Sequence, residues 1–105
     1  MQRFAMDKTQ AKGWLFGPWN SEIPVPVGYA NESINEEHYH EHMFEIHLVA
    51  RGKSVLHIGV QELEILQGDA LVVEPGEDHT FLSSSEDYLH FVIQAPFVQG
   101  DKILK

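Results

Sequence analysis
The chain has 105 residues, enough for one domain with a single hydrophobic core that buries roughly two-thirds of its unfolded surface. Seven Lys and Arg against sixteen Asp and Glu give a formal charge of -9, which repels phosphate backbones and anionic lipid and argues against a nucleic-acid or membrane partner. There is no cysteine, so disulfides, thiolate metal sites and thiol nucleophiles are excluded, and metal ligands must be nitrogen or oxygen.

The first twelve residues, Met1 to Lys12, carry charges throughout and hold no apolar run of leader type. No stretch reaches membrane-spanning length, so a soluble cytoplasmic protein is expected. Residues 1–20 combine basic positions with Trp14, Leu15, Phe16 and Trp19, interrupted by Gly13, Gly17 and Pro18. They read as an arm packed on the remaining domain, residues 21–105, or on a partner subunit. From Ser21 to Val27 the apolar residues Ile23, Val25 and Val27 alternate with Glu22, Pro24 and Pro26. That has strand period, but two prolines restrict it to an edge or irregular strand.

Short apolar runs then follow at Phe44 to Ala50, Ser54 to Val60, Glu62 to Leu66, Ala70 to Val73, Thr80 to Leu82 and Tyr88 to Ala95. Turn residues separate them at Arg51-Gly52-Lys53, Gln67-Gly68-Asp69, Pro75-Gly76-Glu77-Asp78 and Ser83 to Asp87. The spacing predicts an all-β sandwich or barrel. Glu36 to His47 is the one tract with a helical alternative, since His38 and His42 share a helix face, but β-branched and aromatic residues after it favour a strand.

Histidine is unusually frequent, at seven residues. On a strand His38 and His40 project to the same face with Tyr39 turned away, forming a two-toothed chelate, and Glu45 offers a nearby oxygen donor. The same pair is equally compatible with two solvated histidines on an exposed strand.

A longer pattern separates these readings. His38-Tyr39-His40, four residues, Glu45, six residues and Gly52 are followed after fifteen residues by Gly68-Asp69-Ala70-Leu71-Val72-Val73-Glu74-Pro75-Gly76-Glu77-Asp78-His79. In order, spacing and separation these segments resemble the two motifs of the cupin family. The resemblance implies an antiparallel jelly-roll β-barrel. It also implies one divalent transition metal ion (Fe, Mn, Ni, Zn, Co or Cu) held by His38, His40, Glu45 and His79, with coordination positions left for water or substrate. Three positions depart from the motifs: Glu32 replaces the first glycine, Glu74 stands where proline is usual, and Ser83 replaces the final asparagine.

With Glu45 inward, alternation also turns His47 inward, as a supporting donor, an acid/base group or a buried histidine satisfied by a neighbour. Along the last long strand, Tyr88, His90, Val92 and Gln94 form one face, and Leu89, Phe91 and Ile93 the other. Either the first set lines a polar pocket and the second needs covering, as a homodimer interface does, or the second fills the core. His42 reads as a rim residue, and His57 is ambiguous. The functional expectation is a metal-dependent enzyme acting on a small acid or sugar-like molecule by dioxygenase, isomerase or decarboxylase chemistry, with His47 and His90 moving protons. Its alternative is a non-catalytic module that binds or senses a small ligand around a structural metal.

Overall fold
The computed structural model describes residues 1–32 and 35–105. Ten strands follow one another: β1 (Lys12–Phe16), β2 (Val27–Ala30), β3 (His38–His40), β4 (Phe44–Arg51), β5 (Lys53–Ile58), β6 (Gln61–Leu66), β7 (Ala70–Val73), β8 (His79–Ser84), β9 (Leu89–Ala95) and β10 (Lys102–Leu104). They form two antiparallel five-stranded sheets, ordered β1-β2-β9-β4-β7 and β10-β3-β8-β5-β6. This is the jelly-roll arrangement expected of the chain. No helix occurs among the described residues, so the tract around His38 to His47 is strand, turn and strand. None is therefore long and apolar enough to cross a membrane.

Period-two patterning explains the layers. On β4 the residues Glu45, His47 and Val49 are buried while Phe44 and Leu48 are exposed, as alternation across a half-buried sheet requires. The register places Glu45 opposite Gln94 and Val73, His47 opposite Val92 and Leu71, and Val49 opposite His90. The inward face of β9 is therefore the one carrying His90, Val92 and Gln94, and Phe91 and Ile93 lie on the outer face with Phe44 and Leu48.

The two sheets meet in a core of Val49, Leu56, Ile65, Phe81 and Tyr88, with Leu56 fully shielded from solvent. Polar residues occupy the interior on the other side of His47 and Phe81, whose rings lie 5.3 Å apart. The barrel is thus divided into an apolar plug and a histidine-rich chamber.

The turns set the chamber's edges. Gly52, Gly68 and Gly76 all have positive φ, +70°, +93° and +84°, the reversals anticipated from sequence. At Gly52 space matters as well, because a Cβ there would strike the Ser85 hydroxyl and the Asp87 carboxylate. Gly76 N–H donates to the His40 carbonyl at 2.7 Å, tying the turn before His79 to the strand that carries His40. Glu74, in the place of the usual proline, closes this turn by accepting from Glu77 N–H at 3.1 Å and donating its own N–H to the Glu77 carboxylate at 2.8 Å.

Two segments differ from the sequence reading. Ser21 to Val27 forms no strand before Val27, because Pro24 and Pro26 cannot donate to a ladder; β2 begins where the prolines end. Within residues 1–20, Lys12–Phe16 forms β1 and pairs with β2 across the expected boundary at residue 21, with Trp14 opposite Gly28. The glycine leaves room for the indole, whose ring atoms a Cβ at Gly28 would meet at 2.8 Å. Trp14, Trp19 and Phe97 then pack edge to face, at ring separations of 5.7 and 5.9 Å.

Candidate metal centre and cavity
Three strands deliver four side chains to one point. His38 and His40 come from β3, Glu45 from β4 and His79 from β8, and one ligand atom from each lies within 4.8 Å of the others. His38 is directly opposite His79 in the ladder, and their rings are 4.2 Å apart. His40, Glu45 and His79 are buried. The connection between β3 and β4 is held by the buried Asp101, whose carboxylate accepts from the N–H groups of His42 and Met43, both at 2.9 Å, and from His42 Nδ1 at 2.7 Å. Burial opposes ionisation of Asp101, but these donors outweigh it and hold the carboxyl below its usual range. Glu41, His42 and Asp101 also lie together, and Asp101 is occupied there as the clamp that fixes the His40-to-Glu45 spacing. His42 itself is largely exposed at the rim.

The hydrogen bonds around the cluster orient its nitrogens. His38 Nδ1 lies 2.8 Å from the Glu36 carbonyl and His79 Nδ1 3.3 Å from the Glu77 carbonyl. A carbonyl only accepts, so both rings carry the proton on Nδ1 and turn an Nε2 lone pair inward. His38 is pushed down to about 4, chiefly by burial, which favours the neutral, ligating form. His79 Nε2 then faces Glu45 Oε1 at 3.3 Å, lone pair towards carboxylate. His40 Nε2 lies 3.0 Å from Glu45 Oε2 without a hydrogen-bonding alignment, and both His40 ring nitrogens are buried without a partner. Inward lone pairs, a buried carboxylate and an orphaned imidazole are what a divalent cation at the centre resolves, so the donor set fits one.

Glu45 is supported from outside the cluster. His47 Nε2–H donates to Oε1 at 2.9 Å and Gln94 Nε2–H to Oε2 at 3.1 Å. Burial by itself raises a carboxyl, but its imidazole neighbours, of which His47 donates a hydrogen bond to it, hold Glu45 well below the usual carboxylate range.

Above the cluster opens a cavity of about 410 Å³, whose wall includes His38, His40, Glu45, His47, His79, Phe81, His90, Val92 and Gln94 inside and Lys12, Trp14, Glu32, Glu36 and Lys102 towards the mouth. Lys102 is paired with Glu36, whereas Lys12 forms no ion pair among the described residues. His90 lies on the wall with its ring 4.7 Å from that of His47, and Tyr88 lies beneath it, its hydroxyl 2.5 Å from His90 Nδ1. His57 stands apart on the exterior, 3.3 Å from Glu62.

A family model described as Cupin domain matches residues 27–94. The chain belongs to the cupin family. Among solved structures, the nucleoside dehydratase Pac13 of Streptomyces superposes on this cupin with a TM-score of 0.76 at 12% identity, covering 100% of this chain and 91% of that one. A Cupin 2 conserved barrel domain protein from Salinispora arenicola gives 0.72 at 13% identity, over 90% and 87% of the two chains. KdgF from Halomonas sp. gives 0.71 at 14%, over 94% and 97%. At such identities the likeness speaks to the fold alone. No curated protein matches the chain.

The spacing of the motifs pointed to the four clustered residues, and the parity of β9 to the wall formed by His90 and Gln94. The contributions of Lys12, Trp14 and Asp101 were not visible, because each reaches the site by pairing between segments far apart in sequence and none sits in a recognisable motif.

Burial, and then the neighbouring His47, push His90 down to about 3, whereas an unfolded histidine titrates near about 6.5. Because the folded value is the lower, the stability contributed by neutral His90 is present above about pH 6.5 and is lost as pH falls from there towards 3. Urea unfolding should show stability declining between about pH 6.5 and pH 4, with a shallower decline in His90→Gln; identical slopes would contradict the assignment.

Proposed function
We propose that this cupin is a metal-dependent enzyme acting on a small acid or sugar-like molecule, with one divalent transition metal ion held by His38, His40, Glu45 and His79. The observation that carries the reading is the cavity of about 410 Å³ with its mouth open to solvent above the three imidazoles and one carboxylate. A mouth packed shut by Leu and Phe would instead suit a purely structural ion; Lys12, Trp14, Glu32 and Lys102 stand there. When bound, the metal supplies a Lewis-acidic position for a substrate oxygen.

The chain's own residues do the remaining work. Glu45 neutralises charge and is kept in place by His47 and Gln94. The Lys12 ammonium, without an ion pair among the described residues, suits a carboxylate or other anionic group, and the Trp14 indole offers an apolar face to a sugar-like ring. His47 and His90 are the groups placed to move protons: His47 commits Nε2–H to Glu45 and has an unpartnered Nδ1, and His90 reaches the cavity wall. One structural neighbour, Pac13, is a nucleoside dehydratase, which supports catalysis as the class of activity.

The outer face of the first sheet, where Phe44, Leu48 and Val72 are exposed beside Phe91 and Ile93, suits a second copy of the chain. Sedimentation should therefore give twice the chain mass, and a single 12.0 kDa species would contradict the homodimer.

For the site, elemental analysis of purified protein should find about one transition metal ion per chain, falling at least tenfold in occupancy in His38→Ala and His79→Ala, as loss of a ligand predicts. Equal metal content in all three proteins would sink the proposal.

A further inference from the structure
The candidate metal cluster fixes the orientation of an amide on the cavity wall. Gln94 stands on β9 directly opposite Glu45 in the ladder, is 8% exposed and donates its backbone N–H to the Pro26 carbonyl at 3.2 Å. Its side-chain Nε2–H donates to Glu45 Oε2 at 3.1 Å. An ionised carboxylate only accepts, so the nitrogen must be the end of the amide that faces it. The carbonyl oxygen Oε1 then lies on the other side of the planar group, about 2.2 Å from Nε2 by covalent geometry and no more than about 5.3 Å from Glu45 Oε2. Oε1 accepts no hydrogen bond among the described residues. It is not sealed in the protein either: the fully buried side-chain polar atoms without a partner belong to His40 and His47, and Gln94 lines the cavity. An amide nine-tenths removed from solvent with an idle carbonyl needs a hydrogen supplied from the cavity.

We propose that Gln94 is a specificity-determining residue: held by Glu45 with its carbonyl towards the cavity, it selects molecules that carry a hydroxyl or amine hydrogen on the carbon next to the one whose oxygen binds the metal. This rests on the reading of His38, His40, Glu45 and His79 as a metal centre open to a small molecule. A group that meets Oε1 lies beside the cluster rather than at the mouth, where Lys12 and Trp14 stand. That short span suits two oxygens on adjacent carbons, as in 2-hydroxy acids, hydroxyketones and 1,2-diols. The selection is for the hydrogen and not for the oxygen that bears it. A hydroxyl donates to Oε1, whereas its methyl ether brings only lone pairs to a carbonyl that has only lone pairs. A site built to pair a donor discriminates against the analogue without one, because its buried acceptor is then left unpaired. Gln94 has a second Nε2 hydrogen as well, and a molecule held there would need only an acceptor, so the methyl ether separates the two arrangements.

Protein loaded with Co(II) has visible absorption bands that shift when a small molecule joins the ion, so titrations with glycolate and with methoxyacetate read both affinities at one centre. The preference for glycolate should be roughly tenfold greater in the wild-type protein than in Gln94→Leu, as one unpaired buried acceptor predicts. The ratio is the readout because loss of the Nε2–H that supports Glu45 weakens both titrations alike. Leucine fills about the same volume, so exclusion of the extra methyl group by size alone predicts the same ratio in both proteins, and equal ratios would overturn the proposal. A second measurement needs no variant to fold. In carbon-labelled protein loaded with Zn(II), the Gln94 side-chain carbonyl resonance, assigned through its own backbone, should move downfield with glycolate, as a carbonyl does on accepting a hydrogen bond, and not with methoxyacetate. A resonance that responds equally to the two acids, or to neither, would overturn the proposal. Failure of the metal reading looks different: protein that takes up no Co(II) shows no visible bands with or without either acid, which would overturn both readings together.

Discussion
Glu45 is a carboxylate of 6% exposure placed among His40, His47 and His79, and the architecture of the barrel interior follows from what such a group requires. An ionised carboxyl removed from water is strongly unfavourable unless donors or cations replace its hydration. Here His47 and Gln94 each supply one N–H, but the inward Nε2 of His79 and of His38 has no proton to give, because each ring commits its hydrogen to a backbone carbonyl. Protein donors alone leave this arrangement incomplete, and a divalent cation completes it with the same lone pairs.

The remaining structure serves that constraint. Antiparallel pairing sets His38 against His79 and Glu45 against Gln94, the Gly76 N–H ties the His79 turn to His40, and Asp101 clamps the short connection between the strands bearing His40 and Glu45. The apolar plug of Val49, Leu56, Ile65, Phe81 and Tyr88 supplies the packing that a polar chamber cannot, and closes one end of the barrel to water. Polar and apolar halves meet at His90, whose ring looks into the cavity while its other nitrogen is held from within the core by Tyr88.

Much of this was legible in the amino-acid sequence, for identifiable reasons. Glycines at positions 52, 68 and 76 mark reversals that need positive φ, and the alternation on β4 and β9 forces Glu45, His47, His90 and Gln94 onto one face. Residues defined by long-range pairing were not legible. The Lys12-Gly13-Trp14 segment looks like a break, yet it forms a strand because Gly28 accommodates the indole. The strand Lys102–Leu104 has only three residues, too few for any periodicity.

The central claim is that the inward nitrogens of His38, His40 and His79, with the Glu45 carboxylate, surround a cation. X-ray absorption of the metal bound to the purified protein tests this most directly, because imidazole rings in a first shell give a characteristic multiple-scattering pattern. The account predicts three imidazole nitrogens and at least one carboxylate oxygen, with any remaining positions filled by exchangeable oxygen ligands. A shell of oxygen alone, with no imidazole scattering, would contradict it.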